Sequence, residues 1–432
     1  MPNPMGLGLK VLHRVASWPL IDKLGLRKQS EQVLFHAAKS GFQTAGAAAR
    51  AFKATQKLLK PARLGAAKSA DLFDLTPSDE QQMLRESVQS FASEQLRPAA
   101  LKADHDCKAP DTLLRSAAEL GICVLGVPEE LGGAGAERSA MTHVLVTEAM
   151  AHGDMGLAVA CLAPAAVSTA LVLWGNEDQQ AAYLPAFTGD KSPVAALALQ
   201  EPQPLFDPYG LKTSARETDG GYLLNGTKSL VPRAAEAELF IIAAELNGKP
   251  ALFIVESSAQ GLGVEAEPAM GLRAAATARV HLKNVKLPAS ALLGSTGHYS
   301  ECVNLARLGW CSLAVGTSQA VLDYVIPYVN ERVAFGEPVS HRQSVAFAVA
   351  NIGIELEGMR LATWRAASRA ERGQSFIRET ALARRLCADK GMQIGSDGVQ
   401  LLGGHGFVKE HPAERWYRDL RAAGFMEGVV LV

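Results

Sequence analysis

One glutamate near the end of the chain has neighbours that suit acid–base chemistry. Glu427 precedes Gly428, and apolar side chains flank the pair in sequence: Phe425, Met426, Val429 and Val430. A carboxylate in apolar surroundings holds its proton more tightly than one in water, and this property suits a general base. The same position also fits an ordinary solvated charge, so the motifs around it must decide between the two interpretations.

A glycine-rich turn lies upstream of this glutamate. Gly403, Gly404 and Gly406 follow a long helical pattern that ends near Leu402. Glycine lacks a Cβ atom, so its backbone can approach a ligand closely or adopt a positive φ angle. The spacing therefore predicts a turn whose backbone faces a bound molecule.

Two arginines are candidate ligand contacts. Arg332 lies in the segment Asn-Glu-Arg-Val-Ala-Phe-Gly between two predicted helices, and Arg307 stands nine residues before Gly316. A guanidinium group binds phosphate oxygens through two parallel hydrogen bonds, which makes Arg332 a candidate phosphate ligand. The alternatives are a solvated or ion-paired side chain for Arg332 and a helix-surface ion pair for Arg307.

Composition limits the classes of protein that the chain can represent. The 432 residues include 43 Lys or Arg and 44 Asp or Glu, so nothing in the overall charge indicates a nucleic-acid partner. Six cysteines are scattered without a Cys-x-x-Cys pair, which favours a reducing compartment and predicts neither a disulfide framework nor a metal site. We expect no apolar run long enough to span a membrane.

The first 75 residues differ from the rest of the chain. The first seventy carry twelve Lys or Arg against two acids, Asp22 and Glu31, with apolar residues at helical spacing. Three interpretations remain open: a basic helical extension packed on the main body or on a partner, a helix on a membrane surface, or an organelle transit peptide. We therefore predict a cytoplasmic protein with membrane association as one option, and a mitochondrial location as the alternative.

The remaining chain divides by pattern into three parts. Residues 76–193 read as helices, beginning at Thr76 as cap and Pro77 as first helical residue. Residues 194–294 carry short β-prone runs separated by Gly-Gly and Asn-Gly turns, which predicts an antiparallel β domain. This region lacks the Gly-x-Gly-x-x-Gly turn and the alternating βαβ pattern of a Rossmann fold.

Helical periodicity returns in residues 295–432. A helix from Ser340 to about Gly373 and another from about Arg378 to Leu402 predict a four-helix-bundle-like domain. Apolar residues of the first of these helices fall on one stripe: Val345, Val349, Ile352, Leu356 and Met359. The predicted fold class is α+β, with helical, β and helical domains in that order.

Residues 76–428 resemble the acyl-CoA dehydrogenase family. The motifs that carry the resemblance are Gly-Gly-His-Gly at 403–406, Glu-x-Pro-x-Glu-x-x-x-Arg-Asp at 410–419 and Glu-Gly at 427–428. The resemblance implies that Glu427 abstracts the α-proton of an acyl-CoA thioester while a hydride leaves the β-carbon for the flavin. It also implies that a flavin hydroxyl and the backbone N–H of this glutamate polarise the thioester carbonyl.

The resemblance assigns further positions to ligands. In the family, Arg332 and Gln343 would contact the FAD diphosphate and adenine across a subunit interface, in a segment that also includes Phe335. The adenosine part of FAD would lie against Gln400, Gly403 and Gly404 from a neighbouring subunit. Substrate contacts would come from Arg307, Asn304 and Gly428. The implied partners are an acyl-CoA, an electron-transfer flavoprotein and further copies of the chain in a homodimer or homotetramer.

The segments that should line the flavin ring depart from the family pattern. Leu199 precedes a loop that starts at Gln200 and reads Gln-Glu-Pro-Gln-Pro-Leu-Phe-Asp, whereas the family has Thr-Glu-Pro-Gly-Ala-Gly-Ser-Asp. Leu230 and Pro232 stand where the family has Trp and Thr in a Trp-Ile-Thr segment. Two alternatives to a desaturating enzyme follow: a catalytically weak member that binds acyl-CoA or a partner subunit, and a different flavin reaction such as monooxygenation.

Overall fold

The computed structural model describes residues 75–133, 138–189 and 191–432. The predicted basic extension, residues 1–75, lies outside the described residues except for Leu75. The described residues all belong to one unit of the chain, Phe73–Val432.

A group of helices precedes the sheet. A one-turn π-helical segment, Ala92–Leu96, joins the first helix to the second without a break. The helices are α1 (Asp79–Phe91), α2 (Arg97–Asp106), α3 (Asp111–Glu119), α4 (Ala140–Gly153), α5 (Met155–Trp174) and α6 (Glu177–Thr188).

The first helix begins two residues later than predicted. Ser78, not Thr76, is the N-cap: its hydroxyl accepts the backbone N–H of Gln81, whose side chain accepts the N–H of Ser78. This reciprocal pair requires Glu or Gln three residues after the cap, and Gln81 meets that condition for Ser78. Three residues after Thr76 the chain has Asp79, so Thr76 does not meet the same condition.

Helix α5 corrects the expectation that no apolar run is long enough to span a membrane. Its 20 residues pass that test by length and composition, but 89% of its most apolar window is buried inside the protein. It is apolar on every side because α4, the sheet and neighbouring helices surround it.

A mixed sheet follows. Its strands are β1 (Ala195–Ala198), β2 (Ser214–Thr218), β3 (Gly221–Val231), β4 (Leu239–Leu246), β5 (Lys249–Glu256), β6 (Leu262–Ala266), β7 (Ala278–Pro288) and β8 (Leu292–Leu293). Their order in the sheet is β6-β7-β3-β2-β4-β5-β8, and β1 pairs with β4 outside that path. The pairs of β4 with β1 and with β2 are parallel, so the predicted antiparallel arrangement is correct only for the other pairs.

Three long helices form the core of the last part. The predicted stripe faces inward, since Ile352, Leu356 and Met359 are buried and Val345 and Val349 partly buried. The elements are α7 (His298–Glu331), a hairpin of β9 (Val333–Ala334) and β10 (Glu337–Pro338), α8 (Gln343–Glu371), α9 (Ile377–Leu402), α10 (Ala413–Leu420) and α11 (Ala422–Phe425). The predicted order of helical, β and helical domains is confirmed.

Candidate active site

Glu427 lies in the short segment after α11, against the middle of α7. Its side chain is buried, and Arg307 on α7 holds it: Nε lies 3.0 Å from both carboxylate oxygens and Nη2 lies 2.8 Å from Oε1. Such an arrangement fixes the carboxylate in one orientation. Arg307, which the resemblance assigns to the substrate, is here the ion-pair partner of Glu427, and its contact with a substrate stays a prediction.

A second arginine contacts the same carboxylate. Arg384 on α9 donates through Nη2 to the Met426 carbonyl at 2.8 Å and to Glu427 Oε1 at 3.2 Å. Its Nη1 is buried and has no acceptor among the described residues. The prediction that Glu427 lies in apolar surroundings is therefore wrong, because flanking residues in sequence do not include these two guanidinium groups.

The two arginines respond differently to burial. Burial lowers the pKa of Arg307, but the hydrogen bonds and charge of Glu427 outweigh it, so its pKa is raised overall. For Arg384, burial has the largest effect and lowers the pKa, although the negative charge of Glu427 acts to raise it. Arg307 is thus the more strongly bound partner of the carboxylate.

Glycine is required directly after the glutamate. Gly428 has φ +77°, and a Cβ atom there would lie 2.8 Å from the Leu199 side chain. Its carbonyl accepts the indole N–H of Trp310 at 2.9 Å. The close approach brings the residue after β1, Leu199, against the Glu427 segment; its predicted contact with the cofactor stays a prediction.

The backbone N–H of the glutamate has a hydrogen-bond partner in the Gln200 side chain. The N–H of Glu427 donates to Gln200 Oε1 at 2.9 Å, and both residues are buried. The family resemblance implied that this N–H polarises a substrate carbonyl. In this structure the donor already has a partner from its own chain.

A buried ion pair fixes the backbone around Gln200. Lys228 on β3 donates through Nζ to Glu201 Oε1 at 2.7 Å and to the Leu199 carbonyl at 3.1 Å. Burial lowers the pKa of Lys228 to about 8, although Glu201 opposes the shift. Burial would raise the pKa of Glu201, but the charge and hydrogen bonds of Lys228 outweigh it and the pKa is lowered.

A second group of predicted residues lines an open groove. Arg332, Gln400, Gly403 and Gly404 share a cavity of about 520 Å³ with the aromatic ring of Tyr328. A Cβ atom added at either glycine would meet nothing within 4 Å. A guanidinium, a carboxamide and exposed glycine backbone suit a nucleotide diphosphate, so this groove fits the ADP part of FAD.

Three predicted residues lie outside these two groups. Phe335 is 95% exposed at the tip of the β9–β10 hairpin, and Gln343 begins α8 as an exposed residue beside the groove. Asn304 is buried one turn before Arg307 and donates to the Ser300 carbonyl of its own helix at 2.7 Å. None of the three contacts Glu427 through a hydrogen bond of the described residues.

A narrow crevice lies beside Leu230. Leu230, with φ +53°, lies at an irregularity of the β3–β7 pairing, and its N–H donates to Glu267 Oε2 at 2.7 Å. The crevice is lined by Leu230 and Met426, among others, and has a volume of about 60 Å³, against about 520 Å³ for the groove. Leu230, predicted to lie against the flavin ring, therefore borders the smaller of the two spaces.

Sequence reasoning missed the residues that hold the predicted ones in place. Arg384 lies in the middle of α9 and Trp310 in the middle of α7, where helical periodicity gives no sign of a partner 43 or 118 residues away. Lys228 gave no sign either, because its neighbours in β3, Thr227 and Ser229, are polar; its need for a buried acid, which Glu201 meets, appears only in the fold.

The chain belongs to the acyl-CoA dehydrogenase family. Its N-terminal domain model matches residues 78–190, its middle domain model matches 196–285 and its C-terminal domain model matches 298–430. The chain is accordingly an oxidoreductase of the acyl-CoA dehydrogenase class.

Individual relatives agree with the family assignment. The chain is 32% identical to the mitochondrial short-chain specific acyl-CoA dehydrogenase of Mus musculus, over 80% of this chain and 86% of that protein. It superposes on butyryl-CoA dehydrogenase from Megasphaera elsdenii with a TM-score of 0.76 and 27% identity, covering 82% of this chain and 96% of that one. A structure of PigA with FAD and proline gives the same TM-score at 26% identity and the same coverages.

Proposed function

We propose that the protein catalyses FAD-dependent α,β-desaturation of an acyl-CoA thioester with Glu427 as the base. The observation that carries the proposal is the buried Glu427 carboxylate, fixed by Arg307 next to the glycine turn at Gly428. A fixed carboxylate in a water-poor site is placed to take a proton without reorganisation of solvent.

The chain's own residues handle the proton in this mechanism. Substrate entry displaces one guanidinium contact, and the freed oxygen of Glu427 takes the proton from the α-carbon as the α,β double bond forms. Bound FAD supplies the acceptor for the hydride from the β-carbon. Arg384 stays on the Met426 carbonyl, which keeps the Glu427 backbone in place while its side chain reorients.

The cofactor contacts divide between the two groups of residues. Arg332, Gln400, Gly403 and Gly404 would hold the ADP part in the open groove. Gln343 and Phe335, exposed beside it, would contact the same FAD, and the groove of one subunit would thus face the FAD of its neighbour. The ring would lie against Leu199, Gln200, Leu230 and Pro232.

A second copy of the chain is the expected partner for helix α8. Phe347, Ile354 and Leu361 are more than half exposed and lie seven residues apart, which places them on one stripe of the helix. Association through this stripe would form the homodimer or homotetramer. An electron-transfer flavoprotein would reoxidise the enzyme.

The test is FAD binding followed by reduction. Purified protein is supplied with FAD, separated from free cofactor and titrated with acyl-CoAs of increasing chain length in the absence of oxygen. We expect retained FAD, bleaching of the flavin absorbance and formation of the 2-enoyl-CoA. Protein that binds no FAD, or binds FAD that no acyl-CoA bleaches, would contradict the proposal.

A second candidate function has its own supporting observation. Both oxygens and the N–H of Glu427 are already bonded within the chain, which suits a catalytically weak member that binds acyl-CoA or a partner subunit. Such a protein would bind an acyl-CoA with ordinary affinity and would leave the flavin oxidised.

The cellular location follows from the basic extension at residues 1–75. We propose a cytoplasmic enzyme, with membrane attachment or mitochondrial import as the alternatives. Co-sedimentation with anionic vesicles separates these cases: full-length protein and a variant that begins at residue 71 would differ only if the extension binds membranes.

A further inference from the structure

We propose that the Gln200 carboxamide polarises the thioester carbonyl in place of the Glu427 backbone N–H. The inference rests on the proposed function, since it concerns the carbonyl of the same acyl-CoA. It begins from the hydrogen bond of 2.9 Å between the N–H of Glu427 and Gln200 Oε1.

That hydrogen bond fixes which end of the carboxamide faces the glutamate. A backbone N–H only donates, so its partner must be the amide oxygen and not the amide nitrogen. The two N–H donors of Gln200 Nε2 then lie on the adjacent side of the same planar group. Among the hydrogen bonds between described residues, the Gln200 side chain takes part in this one through Oε1, and none has Nε2 as its donor.

Hydrogen bonds to Gln200 and to the next residue hold the Gln200 backbone in position. Its carbonyl accepts the N–H of Ser229 at 3.0 Å. The next residue, Glu201, is bound by buried Lys228 and by the backbone N–H groups of Lys212 and Thr213 at 2.7 and 2.9 Å. A side chain on so rigid a base loses little freedom when it binds a ligand, which favours a role in orientation.

The chemistry matches an oxyanion site. As the α-proton leaves, negative charge develops on the thioester oxygen, and preorganised N–H donors stabilise it. The Glu427 N–H polarises the carboxamide by donating to its oxygen, and hydrogen bonds in such a chain strengthen one another. The Glu427 N–H therefore acts on the substrate carbonyl indirectly, because it strengthens the hydrogen bond that the Gln200 amide donates.

An opposing explanation predicts the reverse result. If Gln200 only blocks the Glu427 N–H, its removal would free that donor and improve carbonyl binding. The two explanations therefore differ in the sign of the effect of Gln200→Ala.

The experiment compares two ligands that differ only at the carbonyl. Butyryl-CoA and S-butyl-CoA, a thioether with a methylene group in place of the carbonyl, are titrated calorimetrically into FAD-loaded protein carrying Glu427→Gln, which retains the backbone N–H. We expect butyryl-CoA to bind about tenfold more tightly than S-butyl-CoA, because its carbonyl accepts one good hydrogen bond. When Gln200→Ala is added, this preference should fall to about onefold.

A spectroscopic readout and a matched control complete the test. Isotope-edited infrared spectra of carbonyl-labelled butyryl-CoA should show a lowered C=O stretch that returns toward its value in water only in Gln200→Ala. Gln203→Ala is the control, because this nearby amide bonds Glu201 and not Glu427. An unchanged or larger carbonyl preference in Gln200→Ala overturns the inference, and failure of both ligands to bind either protein overturns the acyl-CoA assignment as well.

Discussion

We call the residues around Glu427 the base end of the site and the groove around Arg332 the nucleotide end. The two ends differ in how many of their polar groups have partners within one chain. At the base end, Glu427 is buried, and its carboxylate and N–H are bonded to Arg307, Arg384 and Gln200. At the nucleotide end, Arg332 and Gly403 line an open groove whose glycine faces meet no atoms.

The difference shows what each end requires. A buried carboxylate needs partners in the folded chain itself, because an unpaired buried charge costs several kcal/mol. An exposed arginine and glycine backbone are solvated and so require no partner until a ligand arrives. Mutations at the base end should therefore affect chemistry and stability, and mutations at the groove should affect cofactor affinity.

The largest expected effect is the loss of the base. Glu427→Gln should lower kcat by about a thousandfold, because the amide cannot take the α-proton, while FAD binding stays unchanged. Single-turnover flavin bleaching measures the rate. Glu379→Gln is the matched control, since Glu379 is also buried and close to arginines but pairs with Arg369 and makes no hydrogen bond to Glu427 among the described residues. Equal losses in both variants would contradict the assignment.

Breaking the buried ion pair should be the next largest effect. Lys228→Met leaves Glu201 buried without its cation and should lower the free energy of unfolding by about 3–5 kcal/mol. Denaturant titration measures the loss. The double variant Lys228→Met, Glu201→Gln should recover part of it, because no unpaired charge then remains. A single variant as stable as the parent would show that the pair does not anchor the base end.

The same pair predicts a pH dependence of stability. The pKa of Glu201 is lower in the folded protein than its ordinary value of 4.5, so the folded state releases this proton more readily than the unfolded chain. Its contribution is present above pH 4.5 and is lost as the pH falls below it. Unfolding free energies measured through this range should fall less steeply in Glu201→Gln than in the parent protein.

Loss of the second arginine should have a smaller effect on rate. Arg384→Gln removes charge-assisted hydrogen bonds to the Met426 carbonyl and to Glu427, so kcat should fall by about 10- to 100-fold with little change in KM. Arg384→Lys should recover part of the rate, because it restores the charge. A change in FAD affinity without a change in kcat would place Arg384 at the wrong end of the site.

The smallest effect is expected at the groove. Arg332→Gln should weaken FAD binding by about tenfold and leave the rate of the loaded enzyme nearly unchanged, because only one phosphate contact is lost. Equilibrium dialysis against FAD measures the affinity. Arg385→Gln, an exposed arginine on α9, serves as control. An unchanged affinity in Arg332→Gln would remove the groove as the cofactor site.

The sequence predicted those features of the fold that local residue patterns determine. The order of helical, β and helical domains follows from periodicity, and the resemblance singled out Arg332, Gln400 and Gly403, which line one groove. Strands β2 and β6 carry no such pattern, because most of their residues are exposed and give no apolar alternation.

Long-range pairing explains the rest. Arg384 and Gln200 reach Glu427 across 43 and 227 residues, and no spacing rule connects positions so far apart. The apolar neighbours of Glu427 in sequence predicted the wrong surroundings for the same reason. The arginines come from helices that only the tertiary fold places beside it.

Exchange of the substrate α-hydrogen with solvent deuterium tests the role of Glu427 most directly. FAD-loaded protein is incubated with an acyl-CoA in heavy water, and the α-hydrogen is followed by NMR in the absence of an electron acceptor. We predict exchange by the parent protein and by Glu379→Gln, and none above background by Glu427→Gln. Equal exchange by the parent and Glu427→Gln would contradict the assignment of Glu427 as the base.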